Sequence, residues 1–202
     1  LNLAAMWVGR DFAIGHKREG NLAWLQAQQA EHGFAVQVID PIDWQGEVVR
    51  SSHIRSAITN GAVEHAETLL GRPYNLRGTV VQGQQRGRTI GFPTANLLHT
   101  DNLLTPANGV YACWAAVEGH PELYRAAVNI GLRPTFDEQQ TSIEAYLLDF
   151  SGNLYGETIT LSFKTRLRPE QKFDAIDALI AQITQDVAAT RQHLPTHPTT
   201  SL

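Results

Sequence analysis

The sequence predicts a two-part chain, in which an α/β segment precedes a β domain that is closed by a C-terminal helix. Three observations support this fold class. Residues 20–40 are typical of a helix followed by a strand, residues 76–164 carry five β-type runs, and apolar residues recur at helical spacing after Pro169. With 202 residues, the chain is long enough for one large domain or two small ones.

The first predicted element is a helix in the stretch NLAWLQAQQAEHG. Leu22 and Leu25 lie among good helix formers, and Gly33 is suited to end the helix because glycine tolerates the left-handed conformation. The stretch FAVQVID then alternates apolar residues with others before Pro41, which is the pattern of a strand. A helix followed by a strand indicates an α/β segment.

Two short helices are predicted next, in SSHIRSAITNGAVEHAETLLGRPY. One of the two serines that open this stretch can cap the first helix, and the second helix is expected over 62–70 with Gly71 at its end. Pro73 cannot continue a helix. We therefore expect a first domain over 1–74 and a second over 75–194.

Five runs indicate the β domain: LRGTVVQG, GVYACWAAVEG, YRAAVNIG, SIEAYLLDF and ETITLSFK. Short strands at such spacing, with Gly, Pro, Asn and Asp between them, are typical of an antiparallel barrel or sandwich. Pro169 is suited to the first position of a helix, and the apolar residues after it have helical spacing: Phe173, Ile176, Leu179, Ile180, Ile183 and Val187. We expect an amphipathic helix that covers the sheet, followed by a disordered tail over 195–202.

Composition argues against several classes of protein. The formal net charge of −4 argues against a general nucleic-acid binder, and no apolar run is long enough to cross a membrane. The one cysteine, Cys113, excludes an internal disulfide framework and fits the reducing cytoplasm, and we expect it to be buried. Because the first residue is Leu1 rather than Met, we expect a fragment or a processed product of a longer protein.

The segment GRTIGFPTAN, residues 87–96, lies in a candidate phosphate-binding loop. Phosphates are bound by backbone N–H groups with a cation nearby, and glycines let the backbone come that close. Gly83, Gly87, Arg88 and Gly91 provide these elements, although Arg88 could equally be a solvated surface residue. The spacing is one residue short of a P-loop, Arg replaces its Lys, and no helix is expected to follow, so we exclude a P-loop.

Thr94 and Asn96 are candidate metal ligands in the same segment. Pro93 favours an extended backbone here, and two residues that are two apart on an extended backbone share one face. A hydroxyl and an amide oxygen side by side are ligands that Mg²⁺ accepts beside waters and phosphates. Local hydrogen bonds in a glycine-rich turn explain the same two residues equally well.

Several motifs together resemble one known family. GRTIGFPTANL resembles the signature of riboflavin kinases. The motifs around it follow the same family's order over residues 71–194: LLGRPY, GVYACWAAV, VNIGLRPTF, IEAYLLDFSGNLYGE and LRPEQKFDAIDALIAQITQDVAATR. The chain therefore resembles the bacterial bifunctional riboflavin kinase/FAD synthetases.

The resemblance implies a six-stranded antiparallel β-barrel with a C-terminal helix. It implies transfer of the γ-phosphoryl group of ATP to the 5′-hydroxyl of riboflavin, giving FMN, with Mg²⁺ as cofactor and no nucleic-acid or membrane partner. Thr94 and Asn96 would be the Mg–ATP residues, and Glu144 would be the catalytic base. On the flavin side the resemblance places three residues of NIGLRPTF: Asn129, Arg133 and Thr135.

The pattern around Glu144 bears on that role. With a period of two, Glu144 shares a face with three large side chains: Tyr146, Leu148 and Phe150. A carboxylate on such an apolar face would be desolvated, which makes it a stronger proton acceptor. The alternative is a glutamate at the rim of the sheet that points into water.

Residues 1–75 resemble the C-terminal portion of the family's FAD synthetase domain, a Rossmann-like nucleotidyltransferase. WVGRDFAIGHKREG and SSHIR stand where that family has a glycine-basic loop and a Ser-Ser-Thr-x-Ile-Arg motif. Ser52 and Arg55 match the second motif and would bind ATP phosphates at a helix N-terminus, whereas His53 replaces its threonine. The family's His-x-Gly-His motif does not occur, so we expect FMN adenylylation from the full-length protein and not from this chain alone.

Two alternatives come from other classes of protein. A non-catalytic flavin- or nucleotide-binding barrel would share the fold, but it would not need Thr94, Asn96 and Glu144 together. A nucleic-acid-binding barrel would need a basic groove, which the acidic balance of the chain disfavours.

Overall fold

A computed structural model describes residues 3–83, 86–99, 103–134 and 139–195. The chain divides into two compact units after Arg50. All but the first residue of the predicted disordered tail, 195–202, lies outside the described residues. Among the helices in the described ranges, none is both long and apolar enough to cross a membrane.

The first unit is an α/β segment. Its elements are β1 (Ala5–Gly9), β2 (Ala13–Ile14), β3 (Gly20–Asn21), α1 (Leu22–His32), β4 (Ala35–Ile39), β5 (Asp43–Trp44) and β6 (Glu47–Val48). The predicted helix is confirmed, with the Asn21 side chain accepting from the backbone N–H of Trp24 at 3.0 Å and Gly33 ending it at φ 71°. β4 pairs in parallel with β1, a strand that the sequence analysis did not predict.

The second unit is a closed six-stranded barrel with helices around it. Its elements are α2 (Ser51–Thr59), α3 (Val63–Leu70), β7 (Tyr74–Val81), α4 (Arg86–Thr89), β8 (Ala95–His99), β9 (Gly109–Val117), β10 (Leu123–Pro134), β11 (Gln139–Leu147), β12 (Thr158–Arg168) and α5 (Ile176–His193). The strand order is β10-β11-β8-β7-β12-β9, with antiparallel pairing throughout. The predicted antiparallel barrel with a C-terminal helix is confirmed.

The barrel core follows from the alternation along its strands. Alternate residues of each strand point inward, as in the pair Ile143 and Ala145 of β11. Strand β9 is buried along both faces because Leu194, directly after α5, packs against Ala112 and Trp114 on its outer side. Cys113 is fully buried as expected, and burial raises the pKa of its thiol well above the ordinary value.

Helices α2 and α3 pack in the barrel unit. The Lys164 ammonium of β12 forms an ion pair with Glu67 of α3. The backbone N–H of Arg166 donates to Glu64 Oε1 at 3.1 Å. The division into compact units thus lies before α2 and α3. The domain boundary between residues 74 and 75 stays a prediction.

Two helix predictions need correction. The C-terminal helix begins at Ile176 and not at Pro169, because Arg168 stacks its guanidinium over the Phe173 ring at 5.8 Å and binds Asp186 of α5. The segment between Arg168 and α5 therefore stays outside the helix. The glycine loop also contains a single helical turn, α4, where no helix was expected.

The far end of α5 is tied to the barrel by ion pairs. Arg191 donates to both carboxylate oxygens of Asp149 at 2.7 and 2.8 Å, and Arg125 of β10 binds the same carboxylate at 3.2 Å. These hydrogen bonds, the one from Arg191 foremost, hold the pKa of Asp149 below its ordinary value.

Candidate active site

Three polar residues form a row across neighbouring strands on the outer face of the barrel. Asn96 of β8 pairs with Glu144 of β11, and Glu144 pairs with Asn129 of β10. The residues on either side of each point into the core: Ala95, Leu97, Val128, Ile130, Ile143 and Ala145. The row therefore faces away from the core, and all three of its side chains are half-buried.

The predicted apolar face around Glu144 is wrong at Phe150. The N–H of Leu148 still donates to the carbonyl of Arg125 of β10 at 2.8 Å, but Asp149 then has a φ of 63°, and Phe150 packs against the barrel core. Beside Glu144, the Tyr146 ring meets the Phe92 ring edge-on at 5.5 Å between centroids. Glu144 itself is partly exposed.

Thr94 joins this row at the carboxylate. It lies directly before β8, and its Oγ1 donates to Glu144 Oε2 at 3.4 Å. Since Asn96 is the register partner of Glu144, a hydroxyl, an amide and a carboxylate meet at one place. The structure thus brings together the three residues that the sequence placed in Mg–ATP binding and base catalysis.

Two glycines of the loop allow close approach to these residues. A Cβ atom on Gly83 would overlap the Asn96 amide and would lie 2.7 Å from its Oδ1. A Cβ atom on Gly87 would overlap the carbonyl oxygen of Phe92 and would lie 3.4 Å from Thr94 Oγ1. Glycine is needed at both positions because any side chain would displace the groups around Thr94 and Asn96.

The turn at α4 uses some of the loop's own N–H groups. The N–H of Phe92 donates to Gly87 at 2.8 Å, and that of Gly91 donates to Arg88 at 3.4 Å. Gly91 has a φ of 88°, which suits glycine. The backbone N–H of Gly91 is thus hydrogen-bonded within the turn, while the Arg88 side chain is exposed.

Further candidate residues lie on β10 and α2. The backbone of Arg133 pairs with Gln140 in the β10–β11 ladder, and Thr135 lies outside the described residues. Ser52 and Arg55 are both exposed on α2.

In the first unit, the glycine-basic loop borders a cleft of about 400 Å³. The cleft is lined by Arg10, Phe12, Arg18, Asn21 and their neighbours. The Arg18 guanidinium donates to the backbone carbonyl of Asp11 at 2.9 Å. Asp11 also lines the cleft and Arg10 is ion-paired with Asp40, so the features that suit an anion there are Arg18 and the N-terminus of α1.

A second carboxylate near the row was missed by the sequence analysis. Glu170 follows β12, and its carboxylate lies against the backbone of Gly131, where a Cβ atom would be 3.1 Å from Glu170 Cδ and 3.5 Å from Asn129 Nδ2. Glu170 is the last residue of LRPE, residues 167–170, a stretch that contains no spacing typical of a site.

Comparison with known proteins identifies the family. A model of the riboflavin kinase (flavokinase) family matches residues 70–194, and a model of the FAD synthetase family matches residues 1–53. The first match covers more than half of the chain. This chain belongs to the riboflavin kinase family. The resemblance stated from the motifs is confirmed, including the order of its two parts.

Relatives agree with that assignment, and a solved structure shares the fold. The chain is 42% identical over 192 residues to the bifunctional riboflavin kinase/FMN adenylyltransferase of Listeria monocytogenes, covering 95% of this chain and 60% of that protein. It is 38% identical to the protein of the same name from Haemophilus influenzae, covering 95% and 61%. A crystal structure described as a macrolide-efflux protein from Streptococcus pneumoniae aligns with a TM-score of 0.80 and 35% identity, over 91% of this chain and 58% of that one.

The chain of this riboflavin kinase family member spans about three fifths of the length of the relatives that it matches. The matched kinase region contains every residue of the row on β8, β11 and β10, together with Thr94 and the glycine loop. It also contains Glu170.

Proposed function

We propose that this chain is a riboflavin kinase that transfers the γ-phosphoryl group of ATP to the 5′-hydroxyl of riboflavin. The products are FMN and ADP. The observation that carries the proposal is the meeting of Thr94, Asn96 and Glu144 on an accessible face of a riboflavin kinase barrel. A non-catalytic binding barrel has no need for a carboxylate at that point.

In this proposal Glu144 is the general base. Its carboxylate takes the proton of the riboflavin 5′-hydroxyl as the oxygen forms a bond to the γ-phosphorus, and the bond from that phosphorus to the β,γ-bridging oxygen breaks. The hydrogen bond from Thr94 Oγ1 to Glu144 Oε2 orients the carboxylate. Because phosphoryl transfer depends mainly on positioning and charge neutralisation, holding the acceptor hydroxyl is the main task of the row.

Thr94 and Asn96 are the residues proposed to hold Mg²⁺ with ATP. Hydroxyl and amide oxygens suit a hard cation that keeps water and phosphate ligands, and Gly83 leaves room at the Asn96 amide. Within the described ranges no group of three or more His, Cys, Asp or Glu side chains could hold a metal. When bound, Mg²⁺ neutralises charge on the phosphates.

The remaining kinase assignments are proposals of the same kind. Gly83, Gly87, Arg88 and Gly91 are proposed to surround the phosphates. On the flavin side Asn129 is supported by its place beside Glu144 in the row. Arg133 and Thr135 rest on the family resemblance.

Adenylylation of FMN to FAD is proposed for the full-length protein and not for this chain alone, because the family's His-x-Gly-His motif does not occur in it. The FAD synthetase match over residues 1–53 favours it, as do the arginine-lined cleft and the printed names of the relatives. Ser52 and Arg55 are the residues proposed to bind ATP phosphates in that reaction. No macrolide transport is proposed, because the family models and the relatives both name flavin enzymes.

The kinase proposal is tested by incubating the chain with riboflavin, ATP and Mg²⁺ and separating the flavins by chromatography. We expect FMN to accumulate together with one ADP for each FMN. Binding of riboflavin without FMN formation would instead support a non-catalytic barrel.

A further inference from the structure

The Glu170 carboxylate extends the polar row beyond Asn129. On β10, Gly131 follows Asn129 by two residues and faces the same side of the sheet. The carboxylate of Glu170 occupies the space that a Gly131 side chain would fill, beside the Asn129 amide. The order along the outer face is therefore Glu144, Asn129 and then Glu170.

The position of Glu170 is held from two sides. Asn108 Nδ2 donates to Glu170 Oε2 at 3.3 Å. Two residues before Glu170, the Arg168 guanidinium binds both oxygens of Asp186 at 2.8 to 3.2 Å. The base of the segment is thus fixed to α5, while Glu170 itself is exposed to an incoming ligand.

The chemistry of a carboxylate restricts which ligand it can bind. An ionised carboxylate accepts hydrogen bonds and donates none, so its partner must carry O–H or N–H groups. The triphosphate of ATP has only acceptors and like charge there, and would be repelled. Riboflavin is neutral, and its ribityl chain carries several hydroxyl donors.

The spacing fits the same ligand. Glu144 and Gly131 are diagonal neighbours across the β10–β11 pair, about 7–8 Å apart. An extended ribityl chain has a similar length. With its 5′-hydroxyl at Glu144, the hydroxyls nearer the ring would lie toward Gly131. We propose that Glu170 is a specificity-determining residue that accepts a hydrogen bond from a ribityl hydroxyl of the acceptor. This inference rests on the proposed kinase function.

Gly131 provides a test that leaves the charge in place. The three heavy atoms nearest to a Cβ atom there are side-chain atoms of Glu170 and Asn129, and the φ of Gly131 is outside the left-handed range. The Gly131→Ala variant should therefore fold and should displace the end of the flexible Glu170 side chain. It should reproduce the effect of removing that side chain.

The experiment compares Glu170→Ala, Gly131→Ala and the double variant with wild type. We expect each single variant to raise the KM for riboflavin about tenfold, the low end for a hydrogen bond to a charged group, with kcat and the KM for ATP within about twofold. The double variant should be no worse than Glu170→Ala. Fluorescence titration with riboflavin should show the same loss of affinity. Glu118→Gln changes a glutamate at the opposite end of β9 and is the matched control.

The outcomes separate the two proposals. If wild type forms FMN and Glu170→Ala keeps the wild-type KM for riboflavin, Glu170 has no role in acceptor recognition. Equal increases in both KM values, or additive losses in the double variant, would indicate a general structural effect and would also refute the assignment. If wild type forms no FMN, the kinase function itself fails.

Discussion

We expect the ion pair between Arg168 and Asp186 to stabilise the segment that carries Glu170, and a substitution at Asp186 tests this. Asp186 accepts from Arg168 Nε at 2.9 Å, from its terminal nitrogen at 2.8 Å and from Gln182 at 3.1 Å. The side chains of Arg168 and Asp186 are only 18% and 7% exposed. Replacing Asp186 by Asn keeps the shape and removes the charge.

The expected cost follows from this burial. Removing one partner of a buried ion pair leaves the other charge uncompensated and costs about 3–5 kcal/mol. Because Arg168 keeps some contact with solvent and Asn retains one acceptor oxygen, we expect a value near the lower end, about 3 kcal/mol. The exposed pair Arg77–Glu118, at 61% and 63% exposure, provides the comparison. There Glu118→Gln should cost less than about 1 kcal/mol.

The assay is urea unfolding followed by tryptophan fluorescence. Trp114 is buried in β9, whereas the other three tryptophans are at least half exposed, so the signal reports mainly on the barrel. The Asp186→Asn midpoint should fall with little change in slope. The reasoning is refuted if Asp186→Asn costs no more free energy of unfolding than Glu118→Gln.

Three further predictions concern the site and the core. Gly83→Ala should displace the Asn96 amide and raise the KM for ATP about tenfold, with little change in the KM for riboflavin. An unchanged KM for ATP would show that Asn96 does not take part in nucleotide binding. Burial raises the pKa of Tyr111 to about 12, while the unfolded phenol ionises near 10, so the free energy of unfolding should fall as pH rises from 10 to 12. In Tyr111→Phe the free energy of unfolding should fall less over this pH range. An equal fall in wild type and variant would contradict the prediction. Cys113 should resist iodoacetamide until the protein is unfolded in urea, since the buried thiol is inaccessible and its pKa is raised; equal labelling of native protein would count against it.

The barrel was largely predictable, because five of its strands have apolar runs bounded by turn residues. Strand β8 was not recognised because it has only five residues and begins two residues after Pro93, and its presence was implied only by the family resemblance. The turn α4 is too short to show a helical period. Pro169 permits a helix to start there. However, Arg168 packs on the Phe173 ring and binds Asp186, and these contacts hold the segment after Arg168 outside α5.

The site was predictable where its residues are close in sequence or match a motif. Thr94 and Asn96 share a face because they are two apart, and the resemblance added Glu144. The face assigned to Glu144 failed at Phe150 because the backbone turns at Asp149, which alternation alone does not show. Glu170 could not be found from sequence, because its place beside Gly131 depends on how the segment after β12 lies across β10.

The most direct test of the proposed function is the turnover of Glu144→Gln. This variant keeps the shape of the side chain and its hydrogen bond from Thr94, but it cannot accept the proton of the riboflavin hydroxyl. We expect kcat for FMN formation to fall by about 10²–10⁴ with the circular dichroism spectrum and the riboflavin affinity retained. FMN formation at a near wild-type rate by this variant would contradict the proposal that Glu144 is the base.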